Sequence, residues 1–244
     1  MKKIIIITGI ILLSLNISMA QKEVNQRIPL IGSEAPSFKA NSTNGQLSFP
    51  KDFGSNWKIV FSHPRDFTPV CSSEILELAY QQDAFKALNT EIIIVSTDGI
   101  ETHRDWKANL EELRFKGREP VKVNFPLVED KYYSIANSFG MLDSETSPGQ
   151  SIRGVFFIDP ENKIRAFYFY PNEVGRNIEE IKRTLTALQT NYNDKLALLP
   201  ANWQPGEDVM VPYLDNSEKD ADGNPDAAQG FYNVTWFMNY KQNK

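Results

Sequence analysis

The stretch that decides the fold runs from residue 57 to residue 71 and reads Trp57-Lys58-Ile59-Val60-Phe61-Ser62-His63-Pro64-Arg65-Asp66-Phe67-Thr68-Pro69-Val70-Cys71. Its first five residues form an apolar run of strand length, and the two prolines that follow are typical of a turn. Beyond Cys71, apolar residues recur at three- and four-residue spacings, which predicts an amphipathic helix. These residues are Ile75, Leu78, Ala79, Phe85 and Leu88. Cys71 is therefore expected where a loop becomes a helix.

Strand and helix patterns alternate on both sides of this stretch, from about residue 35 to residue 190. Further strands are predicted over 92–95, 125–128, 154–158 and 164–170, and further helices over 105–115, 132–139 and 178–188. Turn residues at 159–163 make the last two strands a hairpin. Helices between strands imply a partly parallel sheet, to which the hairpin adds an antiparallel part. This pattern predicts an α/β, thioredoxin-like fold with a mixed central sheet flanked by helices, although other α/β topologies fit it too.

The C-terminal part of the chain has a different composition. From about Pro200 it is rich in loops and proline, and it ends in an apolar, aromatic stretch over 231–240 that is predicted to be one strand. We interpret this part as an arm that packs on a partner subunit or back over the domain. The predicted organisation is a signal peptide over 1–20, a thioredoxin-like domain over 21–190 and a C-terminal extension over 191–244.

The N-terminus has the pattern of a secretory signal peptide. Lys2 and Lys3 precede a short apolar run over 4–17, and Ser18-Met19-Ala20 supplies the small residues of a cleavage site. The pattern predicts an exported protein, periplasmic or secreted, that is cleaved near Ala20. The alternative is an uncleaved membrane anchor, but polar residues interrupt the run and it is shorter than the roughly 20 apolar residues of a bilayer span.

Charge and cysteine content narrow the function further. The 244 residues carry a formal net charge of -5, which becomes -7 once Lys2 and Lys3 are cleaved off, so a nucleic-acid partner is not expected. The chain has one cysteine, which excludes an internal disulfide. A lone cysteine in an exported protein is either a buried inert residue or a reactive thiol.

The residues before Cys71 favour the reactive thiol. A thiolate is the nucleophilic form of cysteine, and the N–H groups and dipole of a helix N-terminus stabilise a negative sulfur. Thr68, three residues earlier, is near enough for its hydroxyl to bond a small molecule bound at this sulfur. Pro64 and Pro69 stiffen the loop and remove N–H donors, which favours a dry, narrow pocket.

These residues resemble a known family. The spacing Pro64-x-x-x-Thr68-x-x-Cys71 is the active-site motif of the peroxiredoxins. The match from His63 through Ser72-Ser73-Glu74 is similar to the one-cysteine branch of the peroxiredoxin six type. The resemblance extends over most of the chain after the signal segment, starting with the stretch Gly32-Ser33-Glu34-Ala35-Pro36-Ser37-Phe38.

The resemblance implies a role for each matching residue. Cys71 corresponds to the peroxidatic cysteine, Thr68 to the hydroxyl that orients the peroxide and Pro64 to the proline that shields the pocket. Arg153 corresponds to the arginine that bonds both thiolate and peroxide, a task suited to a permanently charged group with several donors.

Three further residues are supporting candidates. The resemblance implies that Arg176 is a second arginine of the site and that Glu74 is a supporting carboxylate. From sequence alone, surface charge or an ordinary ion pair is the commoner role of the two arginines. His63 is predicted either as a general base or as a packed, hydrogen-bonding residue.

The implied activity is a thiol-dependent peroxidase that reduces hydrogen peroxide and alkyl hydroperoxides through a cysteine sulfenic acid, as in antioxidant defence. The implied partners are an external thiol reductant, thioredoxin-like or small, and a second copy of the chain in a homodimer. One departure matters: where some members carry the serine of a phospholipase activity, this chain has Asn56, so that activity is not expected. The rival functions are a Cys/His hydrolase and a non-enzymatic thioredoxin-fold binding module.

No cofactor or metal is expected. Two histidines and one cysteine are a poor ligand set for zinc or haem. The acidic stretch 218–229 resembles part of a calcium loop, but Glu218 stands at its first position and Gln229 at its twelfth. A solvated loop is therefore the favoured interpretation of this stretch.

Overall fold

The structure, a computed structural model, describes residues 28–143 and 149–243. The predicted signal peptide over 1–20 lies outside these residues. The strands are β1 (Phe38–Ser42), β2 (Gly45–Phe49), β3 (Trp57–Ser62), β4 (Thr90–Ser96), β5 (Leu127–Glu129), β6 (Leu142–Asp143), β7 (Gln150–Ser151), β8 (Arg153–Ile158), β9 (Ile164–Tyr170), β10 (Val209–Val211), β11 (Phe231–Thr235) and β12 (Met238–Lys241). The helices are α1 (Pro69–Ala87), α2 (Ile100–Leu110), α3 (Ser134–Ser138) and α4 (Ile178–Asn193), with short 3-10 turns at Lys51–Phe53, Asn216–Glu218 and Ala227–Gln229.

A mixed sheet forms the centre of the fold, with strand order β2-β1-β5-β4-β3-β8-β9. Strand β4 pairs in parallel with β3 and β5, whereas β8 is antiparallel to β3 and to β9. Helices connect the parallel strands, as the right-handed crossover of such strands requires. The predicted thioredoxin-like, mixed α/β fold is confirmed, and so is the hairpin of β8 and β9.

Both faces of the sheet are buried, so its central strands are apolar without alternation. Ile59 and Phe61 of β3 pack in one core with α1, α2 and α4, while Val60 packs in a second core with α3. All six residues of β3 and of β8 are buried. Cys71 belongs to the first core. The sheet thus places the start of α1, and Cys71 with it, at the carboxyl end of β3.

Two helix predictions are wrong at their boundaries. Helix α2 covers Ile100–Leu110 rather than 105–115, because the Glu129 carboxylate accepts the N–H of Ile100 (3.2 Å) and so supports an earlier start. The chain turns at Lys116 and Gly117, both with positive φ, which excludes helix there. Helix α3 starts only at Ser134, because Tyr133 is left-handed with φ 59°.

Two strand predictions also change. Strand β5 starts at Leu127 rather than at 125, because Pro126 has no N–H for the ladder and offers only its carbonyl, which accepts the N–H of Ile94 at 3.1 Å. The predicted single strand over 231–240 is a hairpin of β11 and β12 with Trp236 and Phe237 at its turn, and β12 also pairs with β10. Helix α4 continues to Asn193, and the domain boundary at residue 190 stays a prediction. Over the described residues, the helices are all too short or too polar to cross a membrane.

Candidate active site

The loop between β3 and α1 places Cys71 in the first turn of a helix. Thr68 is the N-cap residue in extended conformation, and its carbonyl accepts the first helical hydrogen bond, from Ser72 N–H at 2.9 Å. Pro69 occupies the first helical position, where its fixed φ favours helix and its missing N–H costs nothing. Cys71, the third helical residue, is fully buried and lies where the helix dipole favours a negative sulfur.

Arg153 is the cationic partner of this sulfur. It is the first residue of β8, is buried, and donates from Nη1 to Cys71 Sγ at 3.3 Å and to Glu74 Oε2 at 2.8 Å. Its Nε and Nη2 donate to the Asn172 carbonyl at 3.0 and 2.7 Å, which fixes the plane of the guanidinium. A buried, permanently charged donor at this distance stabilises a thiolate over a thiol.

Glu74 joins Arg153 to Arg176 in a buried ionic network. Arg176 donates from its backbone N–H and Nε to Glu74 Oε1 (2.7 and 2.9 Å) and from Nη2 to Oε2 (2.7 Å). Its Nη1 donates to the carbonyls of Ser62 and Gly154 at 2.9 and 2.7 Å. Burial alone would raise the pKa of Glu74, but the charge and hydrogen bonds of Arg176 and the charge of Arg153 outweigh it and hold that pKa below the ordinary value. Neither arginine is a surface charge.

Thr68 and Pro64 flank the same loop. Pro64 is buried, and the half-buried Thr68 donates from Oγ1 to the carbonyl of Arg65 at 2.9 Å, so its oxygen keeps lone pairs for a further donor. Phe67, between them in the chain, is exposed and left-handed with φ 55°, a conformation that costs energy for a non-glycine residue. The predicted shielding and orienting roles of Pro64 and Thr68 stay predictions.

His63 lies in a second buried network, which the sequence analysis missed. Its Nε2 is 2.8 Å from Asp66 Oδ1, and His103 Nδ1 is 2.6 Å from Asp66 Oδ2. Asp98 Oδ2 accepts the backbone N–H of Asp66 at 2.8 Å, which holds this loop against the end of β4. A signal for His103 existed: His103, Trp106 and Leu110 have the spacing of one helix face, and all three are buried.

The same residues form the one group of possible metal ligands in the described part of the chain. His63, Asp66 and Asp98 offer atoms within 4.8 Å of one another. Both oxygens of Asp66 already face imidazole nitrogens, and Asp98 Oδ2 already accepts an N–H. The donor set is therefore satisfied as a hydrogen-bond network, and the expectation that no metal is bound stays a prediction.

The acidic stretch 218–229 uses its side chains in local turns. The Glu218 carboxylate accepts the backbone N–H of Asp215 at 2.8 Å, and Asp220 Oδ1 accepts those of Asp222 and Asn224 at 3.0 and 2.9 Å. These are contacts of a solvated turn. They agree with the favoured interpretation of the stretch, and calcium binding was not expected there.

Comparison with known proteins identifies two families that match this chain. Residues 31–167 match the AhpC/TSA family, and residues 187–221 match the C-terminal domain of 1-Cys peroxiredoxin. A peroxiredoxin of Methanosarcina mazei is 43% identical over 216 residues, which are 88% of this chain and 98% of the relative.

Solved structures of similar fold include the yeast mitochondrial 1-Cys peroxiredoxin, with a TM-score of 0.73 and 31% identity over 88% of this chain and 99% of that one. A cysteine-to-serine mutant of Peroxiredoxin 6 of Arenicola marina has a TM-score of 0.72 and 29% identity, again over 88% of this chain and 98% of that one. Together with a buried cysteine at a helix start beside an arginine, these matches show that the chain belongs to the peroxiredoxin family and is a thiol-dependent peroxidase.

Proposed function

We propose that this peroxidase is a one-cysteine enzyme of the peroxiredoxin six type in which Cys71 is the peroxidatic residue. The observation that carries the proposal is the 3.3 Å contact between Arg153 Nη1 and Cys71 Sγ, at the first turn of α1, in a chain with a single cysteine. The match of residues 187–221 to the C-terminal domain of 1-Cys peroxiredoxin supports the assignment to this branch.

The chemistry runs in two halves. The Cys71 thiolate attacks the terminal, hydrogen-bearing oxygen of the hydroperoxide, the O–O bond breaks, and the other oxygen leaves as alkoxide or hydroxide and takes a proton from solvent. Cys71 is then a sulfenic acid. Arg153 stabilises the negative charge as it moves from sulfur to the leaving oxygen, with Thr68 as a further contact for the peroxide.

Reduction needs thiols from outside the chain, because no second cysteine is present. A first external thiol condenses with the sulfenic acid to a mixed disulfide and water. A second thiolate then attacks that disulfide and restores Cys71. In the yeast mitochondrial 1-Cys peroxiredoxin the thiol is resolved via glutathione/thioredoxin systems, and we propose a reductant of the same thiol class here.

Peroxide consumption with a small thiol as reductant tests the proposal. The native protein is expected to consume hydrogen peroxide, and Cys71→Ser, which nearly preserves the buried volume, is expected to fall to the rate without protein. Equal rates of peroxide consumption by the native protein and by Cys71→Ser would contradict the proposal. If the protein instead turned over an ester at a rate insensitive to earlier peroxide treatment, the Cys/His hydrolase would be the better assignment.

We also propose a homodimer formed through the C-terminal extension. Its hairpin exposes large apolar residues: Val234, Trp236 and Phe237 are 69, 84 and 60% exposed. Contiguous apolar surface of this kind is typical of a protein interface. In analytical ultracentrifugation Trp236→Ser is expected to weaken the dimer by about 30-fold or more, the size of an interface hot spot. Tyr132→Ser, an equally exposed aromatic far along the chain, is the matched control.

Export is the last part of the proposal. The basic start, apolar run and small residues up to Ala20 support cleavage of a signal peptide after residue 20. Intact mass and N-terminal sequencing of the protein from the producing cells are expected to show a chain that starts at Gln21. A full-length chain retained in the membrane fraction would instead identify an anchor.

A further inference from the structure

The second network beside Cys71 has no assigned role. His63, Asp66 and His103 are 1, 2 and 0% exposed, and both carboxylate oxygens of Asp66 are at hydrogen-bond distance from imidazole nitrogens, 2.8 Å from His63 and 2.6 Å from His103. Three titratable groups are thus buried together, on the loop before Cys71 and on α2.

The partners of the network decide where its protons lie. Burial alone would raise the pKa of Asp66, but the hydrogen bonds and charges of His103 and His63 outweigh it and hold that pKa below the ordinary value. Asp66 is then a carboxylate, which only accepts hydrogen bonds, so His63 Nε2 carries a hydrogen. Burial lowers the pKa of His63 although Asp66 opposes this, so the ring is neutral near pH 7. Its Nδ1 is therefore a bare lone pair.

This lone pair has no partner. Among buried side-chain atoms of the described residues, His63 Nδ1 stands with Ser151 Oγ and Asn172 Oδ1 in lacking a hydrogen bond. A buried acceptor without a donor costs on the order of 1–3 kcal/mol, so its persistence needs a reason.

The surroundings of the ring link it to Cys71. His63 directly follows β3 on the loop that leads to Cys71, and its ring packs against the indole of Trp106 at 5.1 Å between centroids. Trp106 Nε1 donates to the hydroxyl of Ser72, the neighbour of Cys71 on α1, at 3.2 Å. The side chain with the unpartnered acceptor is thus linked through Trp106 and Ser72 to the helix turn that carries Cys71.

We propose that Asp66 and His103 are positioning residues: together they hold His63 as the Nε2–H tautomer, so that Nδ1 accepts the hydroxyl of the bound hydroperoxide. The proposal rests on the peroxidase function of Cys71 proposed above. It adds Asp66 and His103, which touch neither sulfur nor peroxide, as residues that decide whether His63 Nδ1 presents a lone pair or a hydrogen. A buried carboxylate that fixes an imidazole tautomer is an established device in other enzymes.

The step balances without proton transfer to His63. The terminal, hydrogen-bearing oxygen moves from its oxygen partner to sulfur and keeps its hydrogen, and the O–O electron pair leaves with the other oxygen. Nδ1 accepts the same O–H first from the hydroperoxide and then from the Cys71 sulfenic acid. The opposite tautomer would present N–H to that hydroxyl and a lone pair to the Asp66 carboxylate, so Asp66 disfavours it.

The tautomer can be measured in the native protein. With histidine labelled by 15N, the ring-nitrogen chemical shifts of His63, assigned by comparison with His63→Gln, report which nitrogen carries the hydrogen. We expect a protonated Nε2 and a bare Nδ1 near pH 7. A bare Nε2, or an imidazolium, would overturn the proposal whatever the variants do.

Variants then test the link to catalysis. We expect Asp66→Asn and His103→Leu to lower the second-order rate constant for Cys71 oxidation by about ten- to a hundredfold, in the range of a lost, well-placed hydrogen-bonding group. His103→Asn, which keeps an amide donor near the position of Nδ1, is expected to recover part of the loss. Asp105→Asn changes an exposed carboxylate of the same helix and is expected to react like the native protein.

A double-mutant cycle separates positioning from support of the fold. If Asp66 acts through His63, then Asp66→Asn costs little further rate once His63→Gln is present. A full additional loss in the His63→Gln background, or native rates in both Asp66→Asn and His103→Leu, would refute the positioning role. These results differ from failure of the peroxidase proposal, in which the native protein itself would leave Cys71 unoxidised.

Discussion

Two buried networks involve the loop and helix turn that carry Cys71, and they differ in how completely their polar atoms are used. The network of Arg153, Glu74 and Arg176 is here called the arginine side. Every guanidinium nitrogen of its two arginines has an acceptor, and Glu74 is shared between them. The network of His63, Asp66 and His103 is here called the histidine side. Both carboxylate oxygens of Asp66 have a partner, whereas His63 Nδ1 has none. The difference indicates two tasks: a saturated ionic network fixes charge beside the sulfur, and an unsaturated neutral one leaves an acceptor for a substrate hydroxyl.

The largest expected effect is a loss of stability when a charge is removed from the arginine side. Glu74→Gln removes the negative charge between two buried guanidinium groups and is expected to lower the free energy of unfolding by about 3–5 kcal/mol. Chemical denaturation followed by circular dichroism measures this, with the exposed Glu112→Gln as control. A loss equal to that of the control would mean that the network does not need its shared carboxylate.

Arg153→Met tests the charge beside the sulfur. We expect a fall of about 10²–10³-fold in the rate constant for peroxide, as for the loss of one preorganised charge-stabilising donor. Arg153→Lys should recover little, since one ammonium cannot reach Cys71, Glu74 and the Asn172 carbonyl together. Stopped-flow fluorescence of the native protein, the variants and the exposed control Arg104→Met would decide, and a native rate in Arg153→Met would contradict the assignment.

Removal of the Thr68 hydroxyl, at the N-cap of α1, is expected to have a smaller effect on the rate. Thr68→Val keeps the shape but removes the hydroxyl, and we expect about a tenfold slower reaction with peroxide, since one hydrogen bond of ordinary strength is lost. Thr68→Ser keeps the hydroxyl and should stay near the native rate. A native rate in Thr68→Val together with a loss in Thr68→Ser would show that the methyl group, rather than the oxygen, matters at this position.

The smallest expected effect is on the pH dependence of the free energy of unfolding, to which the two networks contribute in different pH ranges. The pKa of His63 lies below its ordinary value of 6.5, so below that pH the unfolded chain takes up a proton that the folded chain does not. Stability is then lost as the pH falls, by at most about 1.4 kcal/mol per pH unit. The carboxyl of Glu74, whose pKa lies below the ordinary 4.5, adds a second loss that starts only near that pH.

His63→Gln is the variant that separates the two losses. It should reduce the loss that begins below about pH 6.5 and keep the acid one, because the amide that replaces the imidazole of His63 does not titrate. Asp66, His103 and Asp98 face or adjoin the ring, and they stay in place in this variant. If the free energies of unfolding of native protein and variant changed in parallel with pH above pH 5, His63 would not be held neutral.

Sequence predicted the arginine side better than the histidine side, for physical reasons. The strand, loop and helix around Cys71 follow from local apolar spacing and proline, and the resemblance to the peroxiredoxins implies Arg153, Arg176 and Glu74. Nothing local tells that Asp66 turns inward to meet His103, which is 37 residues away in sequence and brought near by the packing of α2. Boundaries such as the start of α3 failed because a single left-handed residue, Tyr133, overrides the helical pattern.

The most direct test of the account is chemical trapping at Cys71. Native protein and Cys71→Ser are treated with one equivalent of hydrogen peroxide in the presence of dimedone, which captures sulfenic acids, and the peptides are analysed by mass spectrometry. We expect an adduct on the Cys71 peptide of the native protein, in an amount that rises with the peroxide consumed, and neither adduct nor consumption in Cys71→Ser. Peroxide consumed by the native protein with Cys71 left unmodified would contradict it.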